Sequence, residues 1–119
     1  MFMTPLTIYI AGKVSGEPIA DCTIKFGTAQ KQVQELGHNA INPLEVVNDW
    51  HATWETAMRK CVKALMDSDA ILLLHDHRDS PGASLEGQLA ETFKMPVFYS
   101  IKELRNYRPK SNVQPLNKQ

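Results

Sequence analysis

Residues 70–75 read AILLLH, an almost continuous apolar run that decides the fold. A strand with apolar side chains on both faces is typical of the centre of a parallel sheet covered by helices on both sides. Three other short runs have the length and composition of strands: LTIYIAG at residues 6–12, HNAIN at 38–42 and VFYS at 97–100. The sequence therefore predicts a parallel sheet of four to five strands built around residues 70–75.

Helical patterns separate these strands. Over residues 18–36 the apolar positions recur at steps of three and four, which predicts a helix that buries one stripe. Thr53 is a suitable cap for a second helix. A third helix has Leu85, Leu89 and Phe93 at four-residue spacing, which predicts that these three side chains face the core. Alternating strands and helices indicate an α/β fold, with right-handed crossovers and helices on both faces of the parallel sheet.

The chain length is that of one domain. Its 119 residues leave little room for a second core, and we expect the domain to span residues 1–106 and to end in a short helix. Residues 107–119 form a polar C-terminal tail with two prolines and no periodicity. We expect this tail to be loosely held or to dock on a partner subunit.

The overall charge argues against several classes of partner. Lys plus Arg and Asp plus Glu both number 13, so the formal net charge is zero. No basic excess is available to displace counterions from a nucleic-acid polymer. No apolar run approaches the roughly 20 residues that span a bilayer, and no basic segment precedes the first apolar stretch, as a signal peptide requires. We therefore expect a cytoplasmic protein that binds neither a nucleic-acid polymer nor a membrane.

The metal-ligating residue types are not arranged as a metal site. His75 and His77 alternate at a strand end, but a metal site needs further ligands that converge from elsewhere in the chain. Cys22 and Cys61 each fall within a helical pattern rather than in a CxxC spacing, so we expect reduced thiols near the core. No metal site is predicted.

The position of a binding site follows from the fold class. In an open parallel sheet, ligands bind outside the carboxyl ends of the strands. The segments at that edge are residues 12–17, 43–53, 75–86 and those from 100 onward. Within the first of them, GKVSG carries Gly12 and Gly16, which permit close backbone approach to a phosphate or ribose. Turns between strands and helices use glycine in any case, so this signal is weak by itself.

The stretch SPGASLEGQLAE, residues 80–91, is more informative. Pro81 and Gly82 shape a turn, and the small residues Ala83, Ser84 and Gly87 let a ligand approach the start of the helix. A helix N-terminus stabilises negative charge, which suits an ionised carboxylate nearby. The glutamate of this stretch, Glu86, is therefore either a helix-start charge or a chemically active group, and the spacing alone favours neither.

Aromatic residues follow the second strand. Trp50 and Trp54 lie where an aromatic face could stack on a base, but a hydrophobic lid or a subunit interface is the more common use of such residues. Both interpretations stay open at the level of sequence.

Four segments together resemble a known family. In chain order they are IYIAGKVSG, LGHNAINPLEV, MRKCVKALMDSDAILLL and SPGASLEGQLAE. This order resembles domain-of-unknown-function family 4406, a compact branch of the nucleoside 2-deoxyribosyltransferase and deoxynucleotide N-hydrolase superfamily. The resemblance covers about residues 6–99, and its most specific part is the arrangement of Gly82, Ser84 and Glu86.

The resemblance implies a three-layer, flavodoxin-like or Rossmann-like sandwich and a reaction at C1′ of a deoxyribosyl group. Glu86 would be the nucleophile that displaces the base, and water or a second base would release the sugar. No cofactor is implied. The substrate would be a small deoxynucleoside or its 5′-monophosphate, and subunits would complete each other's pockets in a homo-oligomer. The implied contacts to sugar or phosphate are Gly12, Lys13, Ser15, Gly16, Gly82 and Ser84.

Two differences from relatives support an alternative. Where relatives tend to carry an aspartate, in a segment like Met-Arg-Lys-Asp, this chain has Cys61, which cannot act as a carboxylic acid. The loop after the first strand has Lys13 but no arginine. The alternative is a catalytically weak or inactive nucleotide-binding module of the same fold. A third hypothesis is an interaction protein whose aromatic loop and tail form an interface.

Overall fold

A computed structural model describes residues 4–109 of the chain. Four strands alternate with five α-helices, and a short 3-10 helix at His77–Asp79 precedes the fourth of these. In chain order the elements are β1 (Thr7–Ala11), α1 (Ile19–Glu35), β2 (Asn39–Ile41), α2 (Pro43–Val47), α3 (Trp54–Met66), β3 (Ala70–Leu73), α4 (Pro81–Thr92), β4 (Val97–Phe98) and α5 (Ile101–Asn106).

All strands of the sheet are parallel, in the order β2-β1-β3-β4. The register pairs Tyr9 of β1 with Ile41 of β2 on one side and with Ile71 of β3 on the other. After β1 the chain crosses to one side of the sheet and then returns to the other side at β3. The strand order thus reverses next to β1, and the crevice for a ligand opens outside the carboxyl ends of β1 and β3.

Two apolar clusters, one on each face of the sheet, make the fold three-layered. Because side chains alternate along a strand, Ile8 and Ile10 of β1 pack on one face while Tyr9 and Ala11 pack on the other. The first face is covered by α1 and α5 through Phe26, Ala29, Val33 and Leu104. The second is covered by α3 and α4 through Cys61, Leu65, Ala83 and Ala90. The predicted α/β class, with a parallel sheet and helices on both faces, is confirmed.

The ends of the predicted elements are confirmed at several points. The Thr53 side chain accepts a hydrogen bond from the backbone N–H of Thr56 at 3.2 Å and so caps α3. At the opposite end of that helix, Asp67 is the last cap residue, and Asp69 accepts a hydrogen bond from the Thr7 backbone N–H. Both aspartates precede β3 in the chain, and they therefore lie at the edge of the sheet away from the crevice.

The short helix α2 was not predicted. Asn42 and Pro43 were interpreted as the end of a strand followed by a loop, but the Asn42 side chain accepts a hydrogen bond from the Leu44 N–H at 2.9 Å. Proline fits the first position of a helix because that position needs no N–H donor. The same two residues that stop β2 therefore also start α2.

The predicted core stripe of α4 is confirmed at one position and wrong at two. Leu89 is partly buried and packs against the core. Leu85 and Phe93 are exposed, with 39% and 61% of their surface accessible. The buried face instead consists of small residues and one glutamate: Gly82, Ala83, Glu86, Gly87 and Ala90. This face lies close to β3, since a Cβ atom added at Gly87 would be in ordinary contact with a methyl group of Leu73, at 3.4 Å. The face of α4 that packs on the sheet therefore differs from the stripe that hydrophobic periodicity favours.

The tail starts with one residue that packs on the core. The Tyr107 ring meets the Phe98 ring edge-on, with 5.0 Å between the ring centroids. Residues 110–119, which hold most of the predicted tail, lie outside the described residues, so the domain boundary at residue 106 stays a prediction. Within residues 4–109, no helix is long and apolar enough to cross a membrane.

Candidate active site

A cleft of about 370 Å³ lies at the crevice next to the ends of β1 and β3. Its wall is built from the end of β1 and the following loop, from α2 and the segment after it, and from the first turns of α3 and α4. This volume falls within the range of small-molecule pockets. Three of the four segments expected from the strand-end rule contribute to it.

Glu86 is the chemically distinctive residue of the cleft. It is only 5% exposed, yet it lines the cleft wall. Burial raises the pKa of its carboxyl group from 4.5 to about 7, against the opposing effect of a hydrogen bond from Tyr9. The helix N-terminus predicts an ionised carboxylate at this position, and burial opposes that ionisation. Near neutral pH the protonated and ionised forms coexist, because burial penalises the charged form.

The position of Glu86 within α4 argues against one of its two interpretations, the helix-start charge. It is the sixth residue of the helix, and the first turn of α4 contains no acidic residue. The favourable effect of the helix dipole is confined to the first turn, where Ser80 already caps the backbone by accepting a hydrogen bond from the Ala83 N–H. Glu86 is thus not a helix-start charge, and its side chain faces the cleft from a buried position.

Tyr9 orients the Glu86 carboxyl group through a hydrogen bond, and the sequence analysis did not identify Tyr9 as a site residue. The hydroxyl group of Tyr9 donates a hydrogen bond to Oε2 of Glu86 at 2.8 Å, although 77 positions separate the two residues. The side chain is fully buried, and burial together with the Glu86 charge raises the pKa of the hydroxyl. A tyrosine in the middle of a buried strand requires a polar partner. That requirement was the available signal, but the pattern did not identify the partner.

Cys61 completes the buried polar corner. It lies on α3, lines the cleft and is 6% exposed. Its pKa is raised chiefly by burial, with a further contribution from the Glu86 carboxylate, while contact with Tyr9 acts in the opposite direction. At neutral pH the side chain is a thiol rather than a thiolate. The expected free, buried cysteine is confirmed, and it lines the same cleft as Glu86.

The loop after β1 enters the site through Gly12, Ser15 and Gly16, all of which line the cleft. A side chain is excluded at Gly12, because an added Cβ would lie 2.9 Å from a methyl carbon of Leu74 and 3.2 Å from Oδ1 of Asp76. The glycine therefore lets the end of β1 pass close to the end of β3, which brings the loop to the cleft.

Two of the predicted sugar or phosphate contacts are not part of the cleft wall. Lys13 does not line the cleft, and its backbone N–H donates to Oδ1 of Asp76 at 3.0 Å. Ser84 does not line it either, because its hydroxyl group donates to the His77 carbonyl oxygen at 3.1 Å and stabilises the preceding turn. The serine on the cleft side is Ser80, the cap of α4.

An ion pair between Lys25 and Asp76 stabilises the loop after β1. Lys25 Nζ lies 2.6 Å from Oδ2 of Asp76 and donates to the Lys13 carbonyl oxygen at 2.7 Å. Burial by itself would raise the pKa of Asp76, but the hydrogen bonds from Lys25 and from the Lys13 N–H lower it below its usual range. The carboxylate of Asp76 is therefore a fixed, charged anchor for the loop after β1.

Gly82, Trp50 and Trp54 form a further part of the cleft wall. All three line the cleft, and each tryptophan is 47% exposed. A Cβ atom added at Gly82 would lie 2.8 Å from Sδ of Met58 and 3.7 Å from Nε1 of Trp54. Glycine thus lets α4 pack against α3 at the edge of the cleft. The aromatic rings lie where a flat ligand could contact them, and their role as base contacts stays a prediction.

Metal ligands do not converge in the part of the chain that the structure describes. Among residues 4–109, no group of three His, Cys, Asp or Glu side chains is placed to hold a metal ion. The ring nitrogen Nδ1 of His77 instead contacts the Leu74 carbonyl oxygen at 2.8 Å.

Comparisons with known proteins agree with this geometry. A family model described as a domain of unknown function, DUF4406, matches residues 6–99. The structure is similar to a solved 2-deoxyribosyltransferase from the psychrotolerant bacterium Bacillus psychrosaccharolyticus, with a TM-score of 0.64 and 16% identity over 86% of this chain and 92% of that one. No curated protein matches the chain. The structural similarity confirms the flavodoxin-like fold.

Proposed function

The chain belongs to the DUF4406 family, and on that basis we propose that it cleaves or transfers the N-glycosidic bond of a deoxynucleoside or its 5′-monophosphate, with Glu86 as nucleophile. The observation that carries the proposal is the buried Glu86 carboxyl group, which lines the cleft, accepts a hydrogen bond from Tyr9 and has a pKa near 7. Perturbed carboxyl groups in clefts are typical of catalytic sites. The deoxyribosyltransferase of similar fold makes nucleoside chemistry the natural class.

The two oxygens of Glu86 have different surroundings. Tyr9 donates to Oε2, whereas Oε1 has no hydrogen-bond donor among the described residues. Since no buried side-chain oxygen in the described part of the chain lacks a partner, Oε1 is open to the cleft. The hydrogen bond fixes the orientation of the carboxylate, and the open oxygen is the one that can reach a substrate carbon.

The reaction has two steps, as in retaining glycosidases. Oε1 of Glu86 attacks C1′ through an oxocarbenium-like transition state, and the electron pair of the C1′–N bond leaves with the base. Water or a second base then attacks C1′ from the opposite face, and the carboxylate is released. The ionised form of Glu86 is the nucleophile, so its pKa near 7 leaves a substantial reactive fraction at neutral pH.

Cys61 favours a second candidate function, a nucleotide-binding module with little or no turnover. A second carboxylic acid usually assists the departing group in this chemistry, and the residue next to Glu86 on α3 is a buried thiol with a raised pKa. Such a module would bind the ligand in the same cleft without cleaving it. We also propose that the chain forms a homo-oligomer, as the family resemblance implies.

The two functions are separated by one assay. Purified protein is incubated with each common deoxynucleoside and 5′-monophosphate, with and without an acceptor base, and free base is measured by chromatography. The enzyme hypothesis predicts base release that disappears in Glu86→Gln and persists in the matched control Glu91→Gln, an exposed glutamate on the same helix. Thermal stabilisation by a ligand without any product would support the binding module. Equal turnover in Glu86→Gln and wild type would exclude the proposed nucleophile.

A further inference from the structure

The charged side chains of the cleft are all acidic. The charged residues that line it are Glu17, Asp49 and Glu86, and no lysine, arginine or histidine of the described residues lines it. A cleft with walls of one sign concentrates ligands of the opposite sign. The electrostatic environment therefore favours a cationic ligand over an anionic one.

The lysines near the loop after β1 do not line the cleft, and one of them, Lys25, is ion-paired. Lys25 Nζ lies 2.6 Å from a carboxylate oxygen of Asp76 and 3.8 Å from one of Glu17. Lys13 contributes backbone hydrogen bonds to this network, and its side chain is outside the cleft wall. Lys25 partly balances the charge of Glu17, but no lysine, arginine or histidine of the described residues lines the cleft beside Asp49 and Glu86. A 5′-phosphate placed there would lie beside these carboxyl groups without a basic side chain in the cleft wall, which is unfavourable in a partly desolvated site.

The groups next to the nucleophile are poor proton donors. Tyr9 already donates its proton to Glu86, and the pKa of its hydroxyl is raised by burial. Burial also raises the pKa of the Cys61 thiol. A neutral base departs as an unfavourable anion unless an acid protonates it. A base that already carries a positive charge departs as a neutral molecule and needs no acid.

The aromatic side of the cleft suits the same kind of ligand. Trp50 and Trp54 line the cleft and are each about half exposed, at 47%. Tryptophan is the aromatic side chain that attracts cations most strongly. A flat, positively charged ring that stacks on either indole would gain this attraction while lying beside the Asp49 carboxylate.

We propose that the substrate is an N-glycoside whose base is a cationic ring, such as a pyridinium or an N-alkylated purine, and whose sugar carries no 5′-phosphate. This inference rests on the proposed function of Glu86. The Glu86 carboxylate forms a bond to C1′, and the C1′–N electron pair neutralises the ring nitrogen. Water then adds to C1′, the C1′–O bond to Glu86 breaks, and one proton passes to solvent. The products are a neutral base and the free sugar.

A cationic substrate also activates its own nucleophile. A nearby positive charge favours the ionised form of a carboxyl group, and the pKa of Glu86 near 7 leaves room for that effect. A neutral substrate that covers the cleft would instead remove water from Glu86 and favour its protonated form. A positive charge on the base thus has two effects. It lets the base leave as a neutral molecule, and it favours the ionised form of Glu86.

The test compares three ligands on the full-length protein. Nicotinamide 2′-deoxyriboside provides a permanent cation, thymidine is neutral, and thymidine 5′-monophosphate adds the phosphate. Base release by wild type is divided by the uncatalysed rate in the same buffer, so the weaker bond of the pyridinium compound does not bias the comparison. We expect the acceleration for the pyridinium nucleoside to exceed that for thymidine at least about tenfold, and the monophosphate to be the poorest ligand.

A pair of variants checks the origin of the preference. Asp49 is exposed, so Asp49→Asn and Asp49→Lys should both fold. The lysine variant should reduce the advantage of the pyridinium nucleoside roughly tenfold and improve binding of the monophosphate, with the asparagine variant intermediate. Thymidine accelerated as strongly as the pyridinium compound would overturn this inference and leave the proposed function intact. If none of the three ligands is cleaved, the proposed function and the inference fall together.

Discussion

Replacing Glu86 by glutamine removes a buried titratable group, and the resulting change in stability depends on pH in a direction that the structure sets. The pKa of this carboxyl group is about 7 in the folded protein against an ordinary 4.5. Below about pH 4.5 the group is protonated in both the folded and the unfolded state. As the pH rises from 4.5 to 7, the folded state holds its proton longer than the unfolded state, so the free energy of unfolding falls.

The size of this effect follows from the pKa difference. One pKa unit corresponds to about 1.4 kcal/mol, so the ionised carboxylate destabilises the fold by about 3 kcal/mol above pH 7. Glutamine has nearly the same shape, remains neutral and can still accept the hydrogen bond from Tyr9. We therefore expect Glu86→Gln to be more stable than wild type by up to about 3 kcal/mol at pH 8 and nearly equal to it at pH 4.5.

Urea denaturation of both proteins from pH 4.5 to 8 measures this difference directly. For a domain of this size, the pH 8 value corresponds to a rise in Tm of about 10 °C. Glu91→Gln on the exposed face of α4 is the control, and its stability relative to wild type should change little with pH. Two results would refute the conclusion that burial of the ionised carboxyl group destabilises the fold. One is a difference in the free energy of unfolding between Glu86→Gln and wild type that does not change with pH, and the other is a variant less stable than wild type at pH 8.

Three further variants test the surroundings of the cleft. Tyr9→Phe removes the hydrogen bond that favours the ionised form of Glu86, so the midpoint of the pH–rate profile should move upward by on the order of one pH unit. An unchanged midpoint would show that Tyr9 does not stabilise the ionised carboxylate. Gly82→Ala should displace the Met58 side chain into the cleft and raise KM several-fold, while the free energy of unfolding changes by about 1 kcal/mol or less. Gly87 does not line the cleft, so the control Gly87→Ala should leave KM unchanged. Lys25→Met removes the cation paired with the partly buried Asp76 carboxylate, so it should lower the free energy of unfolding by about 1–3 kcal/mol in urea titrations. A free energy of unfolding equal to that of wild type would show that the ion pair does not stabilise the loop.

The site combines two opposing requirements. A carboxylate that is to attack C1′ must be shielded from water and held in place, and Tyr9 and the small-residue face of α4 provide this shielding. The same burial destabilises the charged form that reacts. The stability cost of Glu86 and its proposed reactivity thus have one cause, so the stability and activity measurements should report the same pKa.

Much of the fold could be predicted from local sequence. The apolar run at residues 70–75, the glycines that end strands and the cap at Thr53 all act over a few residues, so they indicated the α/β class and the edge of the sheet where the cleft lies. Patterns also placed Glu86, Trp50 and Trp54 on that edge, and these residues do line the cleft. The family resemblance to DUF4406, based on four short segments, is confirmed by the match over residues 6–99.

The remaining features depend on contacts between distant segments. Hydrophobic periodicity favoured Leu85 and Phe93 as part of the core face of α4, but in the packed protein the small residues and Glu86 of this helix are buried instead. Lys13 and Ser84 have suitable side chains for binding a phosphate or sugar, yet neighbouring segments engage Lys13 through its backbone and Ser84 through its hydroxyl group.

The sequence by itself determined the fold class and the edge of the sheet at which the cleft lies, and it offered Glu86 as a candidate without deciding its role. Tertiary structure decided its chemistry, because a pKa depends on burial and on groups that the chain brings together in space. Glu86 acquires its pKa near 7 from its burial against the sheet, which a hydrogen bond from Tyr9, 77 positions away, only partly offsets. A local pattern records which groups are present, but the desolvation of a group depends on every segment that covers it.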